Sequence, residues 1–271
     1  MGLEPRLLAW WRGRRSGGKL FEMPKFLARY LAGHHEQVWE ELVALGSAVR
    51  HDEFLTDAES VAHETMRRVR TNVECLIPRL EKIGYRFGTL DGHHQLPGWH
   101  SNPEFMPPGN DVAYQVAEVE RRFGLLPLSI RACYEIVGQV NFIGFHPNWP
   151  EPKGLDPLFL WPLNVDDVQR QWDSQQNYRK WHRYMADRPF HIAISPDRSA
   201  KAWISGGGPY GLPVPCPAAD ALMYEEFSQK TTFVNYLRIA LKWGGFPGLE
   251  QYHPKERPSD LRFLTDGLLP L

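Results

Sequence analysis

Apolar residues recur at helical spacing over long stretches of this chain and cluster at strand-like density over short ones. Val112, Val116, Val119 and Phe123 lie on one helical face that Gly124 can end in the left-handed conformation. Pro127 fits the first turn of a second helix, where its missing N–H has no intrahelical partner to lose. Ile130, Cys133, Tyr134 and Val137 then form a buried stripe before Gly138. Asn141–Phe145 and Leu158–Trp161 are too short for helices and rich in strand formers, so they read as strands holding the loop His146–Pro157 between them.

Upstream, Val38, Leu42, Leu45 and Val49 share one helical stripe. A longer helix, opened by Thr56 or Asp57 and ended by Gly84, carries Ala62, Met66, Val69, Val73, Leu76, Leu80 and Ile83 at alternating spacings of four and three. That seam is expected to pair within the chain rather than with a second copy. Pro78 lies inside it and predicts a bend or break near Asn72–Leu76. Downstream, Val165, Val168, Trp172, Trp181 and Met185 predict a surface helix over 165–188, its stripe interrupted by Gln175 and Gln176. His191–Ile194 and Lys201–Ile204 alternate around Ser195-Pro196-Asp197-Arg198, which predicts a hairpin, and 206–217 reads as loop or edge strand. Thr231 or Thr232 caps a last helix whose Phe233, Tyr236, Leu237, Ala240 and Leu241 face inward until Gly244-Gly245.

Together these elements predict an α+β chain. Its parts are a basic arm at 1–18, a helical extension at 19–90, a Pro-rich linker at 91–110, an α+β domain at 111–250 and a C-terminal tail at 251–271. The domain boundary implies that a fragment from Gly109 to Leu249 folds alone.

Composition narrows the chemistry. With 42% hydrophobic residues in 271, the chain can fill a sizeable core. A formal charge of -1 supplies no global attraction to nucleic acid or to an anionic membrane, so neither is an expected partner. Cys75, Cys133 and Cys216 are odd in number and far apart, which argues against a disulfide framework or structural zinc and favours a reducing, cytoplasmic setting. Leu7–Trp11 is too short and too closely followed by Arg12 to be a secretion signal, and Arg6 departs from the myristoylation pattern.

Candidate catalytic groupings are incomplete. His34-His35-Glu36 and His63-Glu64 lack the second His one turn on, since Trp39 and Arg67 stand there. His93, His94 and His100 with Asp91 have no cysteine support, so no metal or cofactor is expected. The glycine run at 206–211 is followed by no Lys-Ser or Lys-Thr, and Ser205 lacks the preceding Gly of a nucleophile elbow. The loop with His146, Trp149, Glu151 and Asp156 groups two carboxylates beside a Trp, as a hydrolase site does. Its plainer reading is a turn at Asp156-Pro157 with Trp149 plugging the core edge.

The order of several short motifs resembles the SUKH superfamily, which includes the fungal Knr/Smi cell-wall-synthesis regulator and many bacterial toxin-immunity proteins. Glu118–Pro127, with Glu120, Gly124, Leu126 and Pro127, resembles its opening helix and Leu-Pro step. Ile130–Phe142 resembles the following helix and strand, and Trp149 with Asp156-Pro157-Leu158 the variable loop. Ile194-Ser195-Pro196-Asp197, Lys201-Ala202, Ser205-Gly206-Gly207 and Thr232–Arg238 resemble a bacterial branch. The likeness covers Val112 to Leu249, and residues 1–111 and the helix expected over 165–188 fall outside the family's pattern. It implies a curved antiparallel sheet flanked by helices and a function exercised by binding other proteins without catalytic residues. The resulting expectation is an immunity protein that neutralises a cognate toxin by occlusion. Trp149, Glu151, Asp156 and Asp197 are the candidate contact residues, their acids facing a basic, nuclease-type partner. A Knr/Smi-type regulatory scaffold and a hydrolase using Glu151 and Asp156 are the alternatives.

Overall fold

Three helices open the described chain: α1 (Phe26–Leu31), α2 (His35–Ala44) and α3 (Asp52–Lys82), with a 3-10 turn over Gly46–Arg50 before the third. A computed structural model describes residues 25–182, 189–205, 207–224 and 231–271. The basic arm at 1–18, Met185 and the expected helix end at 183–188 lie outside these. In α3 the seam residues Ala62, Met66, Val69, Val73, Leu76 and Leu80 are all buried, and the helix packs on α5 (Leu128–Ile136), on α1 and on a C-terminal helix. The seam therefore meets its own chain. Pro78 does not break α3, which runs on to Lys82. Pro78 and Glu74, whose carbonyl loses its partner, both lie on the exposed face where water can replace the missing bond.

The start of α3 also differs from expectation. His51 in an extended conformation precedes it, and Asp52 and Glu53 occupy the first turn, where their charge complements the helix dipole. Asp57 serves another helix. Its carboxylate accepts the N–H groups of Phe26 and Leu27, capping α1 from across the helix pair.

The strands are short and pair antiparallel in three small sheets. β1 (Arg86–Phe87) pairs with β4 (Gly144–Phe145), and β3 (Gln139–Asn141) lies between β2 (Phe105–Met106) and β5 (Phe159–Leu160). The longest pair is β6 (Phe190–Ser195) with β7 (Tyr210–Val214). Trp161 N–H donates to the Ile194 carbonyl at 2.9 Å and so links the end of β5 to β6. Helices α4 (Val112–Phe123) and α5 match the expected stripes, and Gly124 at φ +97° turns the chain between them. A side chain there would collide with Pro215. The architecture is α+β, with antiparallel strands flanked by helices and a helical N-terminal part.

The expected hairpin is replaced. Lys201–Ile204 is not the second arm; Asp197 caps the short helix α8 (Arg198–Lys201) and β6 pairs instead with Tyr210–Val214. The Asp197 carboxylate accepts Ser199 N–H at 2.7 Å and Ala200 N–H at 3.2 Å, so the Pro-Asp step starts a helix rather than a two-strand turn. Helix α7 (Val165–Trp181) is capped by Asn164, and its Trp172 packs against Phe123 and Phe190. Gln171 accepts the Ala193 N–H at 2.8 Å and Gln175 donates to the Pro189 carbonyl at 3.1 Å. These glutamines bind the otherwise open edge of β6.

Buried apolar side chains form one contiguous cluster from Phe26 to Leu271. It takes in the helices assigned to an extension and the residues assigned to a tail. After α9 (Phe233–Lys242), the chain ends in α10 (Leu261–Thr265), and Leu264 and Leu271 are buried. Asn72 holds Leu269 through both its N–H and carbonyl, each at 2.8 Å, while Arg79 binds the carbonyls of Leu264 and Asp266. Among the described residues no helix is long and apolar enough to cross a membrane.

Candidate functional site

The loop singled out by sequence contains the short helix α6 (Pro152–Leu155), and it faces inward. Trp149 is 9% exposed and packs within 5.4 Å, ring to ring, of Tyr85, His146 and Phe246. His146 is fully engaged: Nε2 donates to the Ile83 carbonyl at 3.0 Å, while Nδ1 accepts the Asn148 N–H at 3.3 Å. Both ring nitrogens are thus engaged within the protein. Asp156, at φ 47°, accepts from Lys201 Nζ at 2.7 Å and from the Tyr210 hydroxyl at 3.0 Å. Lys201 is wholly buried and its ammonium lies 4.8 Å from the Tyr210 ring centroid.

The capping of α8 by Asp197 places Lys201, and Lys201 holds Asp156. Three of the four candidate contact residues, Trp149, Asp156 and Asp197, are thus engaged inside the protein, and Glu151 alone is exposed. The Trp149 ring gains by burial, and the Asp156 charge, once inside, is compensated by the Lys201 ammonium. The carboxylate pair expected of a hydrolase is not assembled, because Asp156 faces Lys201 while Glu151 lies in the exposed turn. His94 Nδ1 lies 2.6 Å from Asp91 on the surface, its pKa raised mainly by that hydrogen bond, whereas His100 is buried and bonds the Ala200 carbonyl at 2.9 Å. Among the described residues no three His, Cys, Asp or Glu side chains form a metal-sized cluster.

A different site emerges where the 3-10 turn Gly98–Ser101, the residues after β5, the start of α7 and β6 converge. They enclose a cleft of about 550 Å³. Its lining residues include Trp99 and Trp161, Asn102, Gln139, Asn164 and Gln171, the aliphatic Leu163, Val168 and Ile192, and Tyr134, which is 3% exposed. Asp167 and Arg170 at the rim form an ion pair with each other. Among the described residues, no Ser, Cys, His, Lys or Glu lines it.

An aromatic ridge continues outward from this cleft. Trp161 and Trp99 meet edge to face at 6.0 Å, Trp99 stacks on His100 at 3.6 Å, and His100 meets Trp203 at 4.7 Å. Trp203 is 54% exposed and has φ 59°, a conformation uncommon for a bulky side chain. Sequence reasoning placed Trp99 in a linker and Trp203 in a strand, and pattern alone cannot join residues so far apart. Tryptophans in otherwise polar or Pro-rich stretches were the one available signal.

No protein-family profile, curated protein or solved structure matches this chain.

Proposed function

We propose that this chain is a non-enzymatic protein-binding domain whose contact region is the aromatic ridge from Trp161 to Trp203 with the adjoining cleft. The observation carrying this reading is the composition of that cleft: tryptophan, amide and aliphatic residues line it, and the charged pair at its rim is closed on itself. Such a surface suits recognition, since large rings bury much area at small entropic cost, and it offers no paired groups for acid–base chemistry. Trp203 adds support, because a bulky residue held at φ 59° leaves half of its surface open to solvent, where a partner can cover it.

Within this class, the SUKH resemblance favours a cytoplasmic immunity protein acting by occlusion, with a Knr/Smi-type scaffold as the second reading. The test uses a partner that co-purifies with the chain, reconstituted from purified components. Trp203→Gly is expected to keep or slightly raise the melting temperature while lowering partner affinity more than tenfold. Unchanged affinity in both Trp203→Gly and Trp161→Ala would remove the ridge from the binding face. The partner separates the two readings: a toxin whose activity the chain abolishes supports the first, and a partner whose own activity it leaves intact supports the second.

A further inference from the structure

Beyond α10 the chain is held by a row of side chains that grip its backbone. Arg68, Asn72 and Arg79 lie four and seven residues apart on α3, which puts them on one face of that helix. Arg79 donates to the carbonyls of Leu264 at 2.8 Å and Asp266 at 2.6 Å and so fixes the end of α10. Asn72 donates to the Leu269 carbonyl and accepts the Leu269 N–H, each at 2.8 Å, a two-point clamp that reads extended backbone whatever side chain it carries. Arg68 donates to the Pro270 carbonyl at 3.0 Å, and Arg238 of α9 to the Leu271 main-chain oxygen at 3.0 Å. Side chains of the gripped segment take a smaller part: Leu271 is buried and Leu268 partly so, while Leu269 and Pro270 are exposed.

A hinge separates this strap, Gly267–Leu271, from α10. Asp266 at φ −60° and ψ 126° and Gly267 at φ +66° form a type II turn, with the Leu268 N–H donating to the Thr265 carbonyl at 3.3 Å. The second central position of that turn needs a positive φ, so Gly267 is what sends the strap back over α3. A Cβ at 267 would meet nothing within 4 Å, so the requirement is one of backbone conformation and not of crowding.

We infer that this face of α3 is a peptide groove that reads main chain, and that its strap exchanges between two copies of this chain. The groove fits this sequence, backbone and leucine anchor alike, so the identical strap of a second copy fits it equally. Every contact broken on opening is remade in the other copy's groove, which leaves the two forms nearly matched in contact energy. Opening itself exposes little apolar surface, because Leu271 is the fully buried side chain beyond the hinge. Closure on the strap's own groove is favoured by the Gly267 turn and by tethering, which supplies an effective concentration on the order of 1 mM. No residue of the ridge or its cleft takes part.

Full-length chains are compared by sedimentation velocity, with melting curves showing that each variant is folded. The wild type is expected to stay monomeric until its concentration approaches that of the tethered strap, on the order of 1 mM. Gly267→Pro suits the extended conformation that Asp266 already has but fixes φ at about −65°, which the turn cannot use, so closure is disfavoured and exchange is not. It is expected to dimerise at concentrations at least tenfold lower than the wild type. Adding Asn72→Ala removes two hydrogen bonds from each groove and should weaken that dimer more than tenfold. An excess of an amidated synthetic hexapeptide with the sequence of Asp266–Leu271 should dissociate it. Hydrogen exchange gives a readout on the wild type itself: the Leu269 N–H, held by Asn72, should exchange at least tenfold faster than the Phe142 N–H, which donates to the Leu158 carbonyl in the core. Equal protection of the two would mean that the strap leaves only on global unfolding, and would overturn the proposal. A folded Gly267→Pro that stays monomeric at every concentration would overturn it as well, even with the hexapeptide bound, and so would a dimer indifferent to both Asn72→Ala and the hexapeptide.

Discussion

Single side chains in this protein divide by what surrounds them rather than by type. Trp149 and Trp203 are both tryptophans in irregular segments, yet one is a core plug among Tyr85, His146 and Phe246 and the other is half exposed. Trp149→Ala is expected to cost about 3–5 kcal/mol in chemical denaturation. Trp149→Phe should cost much less, since its indole N–H has no hydrogen-bond partner among the described residues and nothing is lost there by removing it. The buried Lys201–Asp156 pair should behave asymmetrically. Removing one partner, as in Lys201→Met, strands the other charge and costs about 3–5 kcal/mol, whereas the double variant Lys201→Met with Asp156→Leu recovers much of that loss. Asp220 gives a pH signature. Burial pushes its pKa up despite hydrogen bonds from Ser129 at 2.7 Å and from the N–H groups of Ala221 and Val234. The folded state therefore holds the proton more tightly than the unfolded chain does. The associated stability is present below the unfolded-state pKa, about 4, and is lost as pH rises through the folded-state value. The melting temperature of wild type minus that of Asp220→Asn should fall across that window, and a flat difference would contradict the assignment.

Elements show where local pattern met a tertiary competitor. Gly124 and Gly244-Gly245 end helices as their position implies, and Thr232 caps α9 through the Asn235 N–H at 3.4 Å. Asp57 had the right chemistry for a cap but serves α1, because that helix begins with Lys25, which supplies no side-chain cap bond, and lies against α3. Asp57→Ala should accordingly cost about 1 kcal/mol and loosen the N-terminal amides of α1, with hydrogen exchange speeding up at Phe26 and Leu27 rather than within α3. The Lys201–Ile204 segment alternates as a strand does, and still its first residue ends a helix. A caps-and-burial combination won there: Asp197 satisfies two free N–H groups, and Lys201 must turn inward to meet Asp156. Gln175, which interrupts the apolar stripe of α7, and Gln171 are used because β6 has an open edge that apolar side chains cannot satisfy.

At the scale of the molecule, the question is whether the Pro-rich stretch at 91–110 separates two folding units. Helix α3 buries its stripe on α5, and the C-terminal segment is held to α3 through Asn72 and Arg79. A fragment from Gly109 to Leu249 lacks both covers and would expose the α5 face whose Arg131 and Glu135 meet Glu59 and His63 of α3. It is expected to lose the cooperative thermal transition of the full chain; a sharp, reversible transition in the fragment would support the boundary at 91–110. Deleting residues 260–271 should destabilise the whole protein rather than trim it, since Leu264 and Leu271 leave the shared core.

By itself the sequence determined what depends on near neighbours. The stripes of α3, α4, α5 and α9, the glycines that end helices and the strand-forming runs near 140 and 160 all follow from periodicity and backbone preference, and together they specify an α+β chain. Pairing belonged to the tertiary structure. Whether Trp149 lay inside or outside, which helix Asp57 capped, which strand joined β6, and that Trp99, Tyr134, Trp161 and Gln171 share one cleft were decided by contacts between residues far apart in the chain. Such contacts carry no local period, because the free energy that selects them arises only once separate elements bury surface and polar groups against one another.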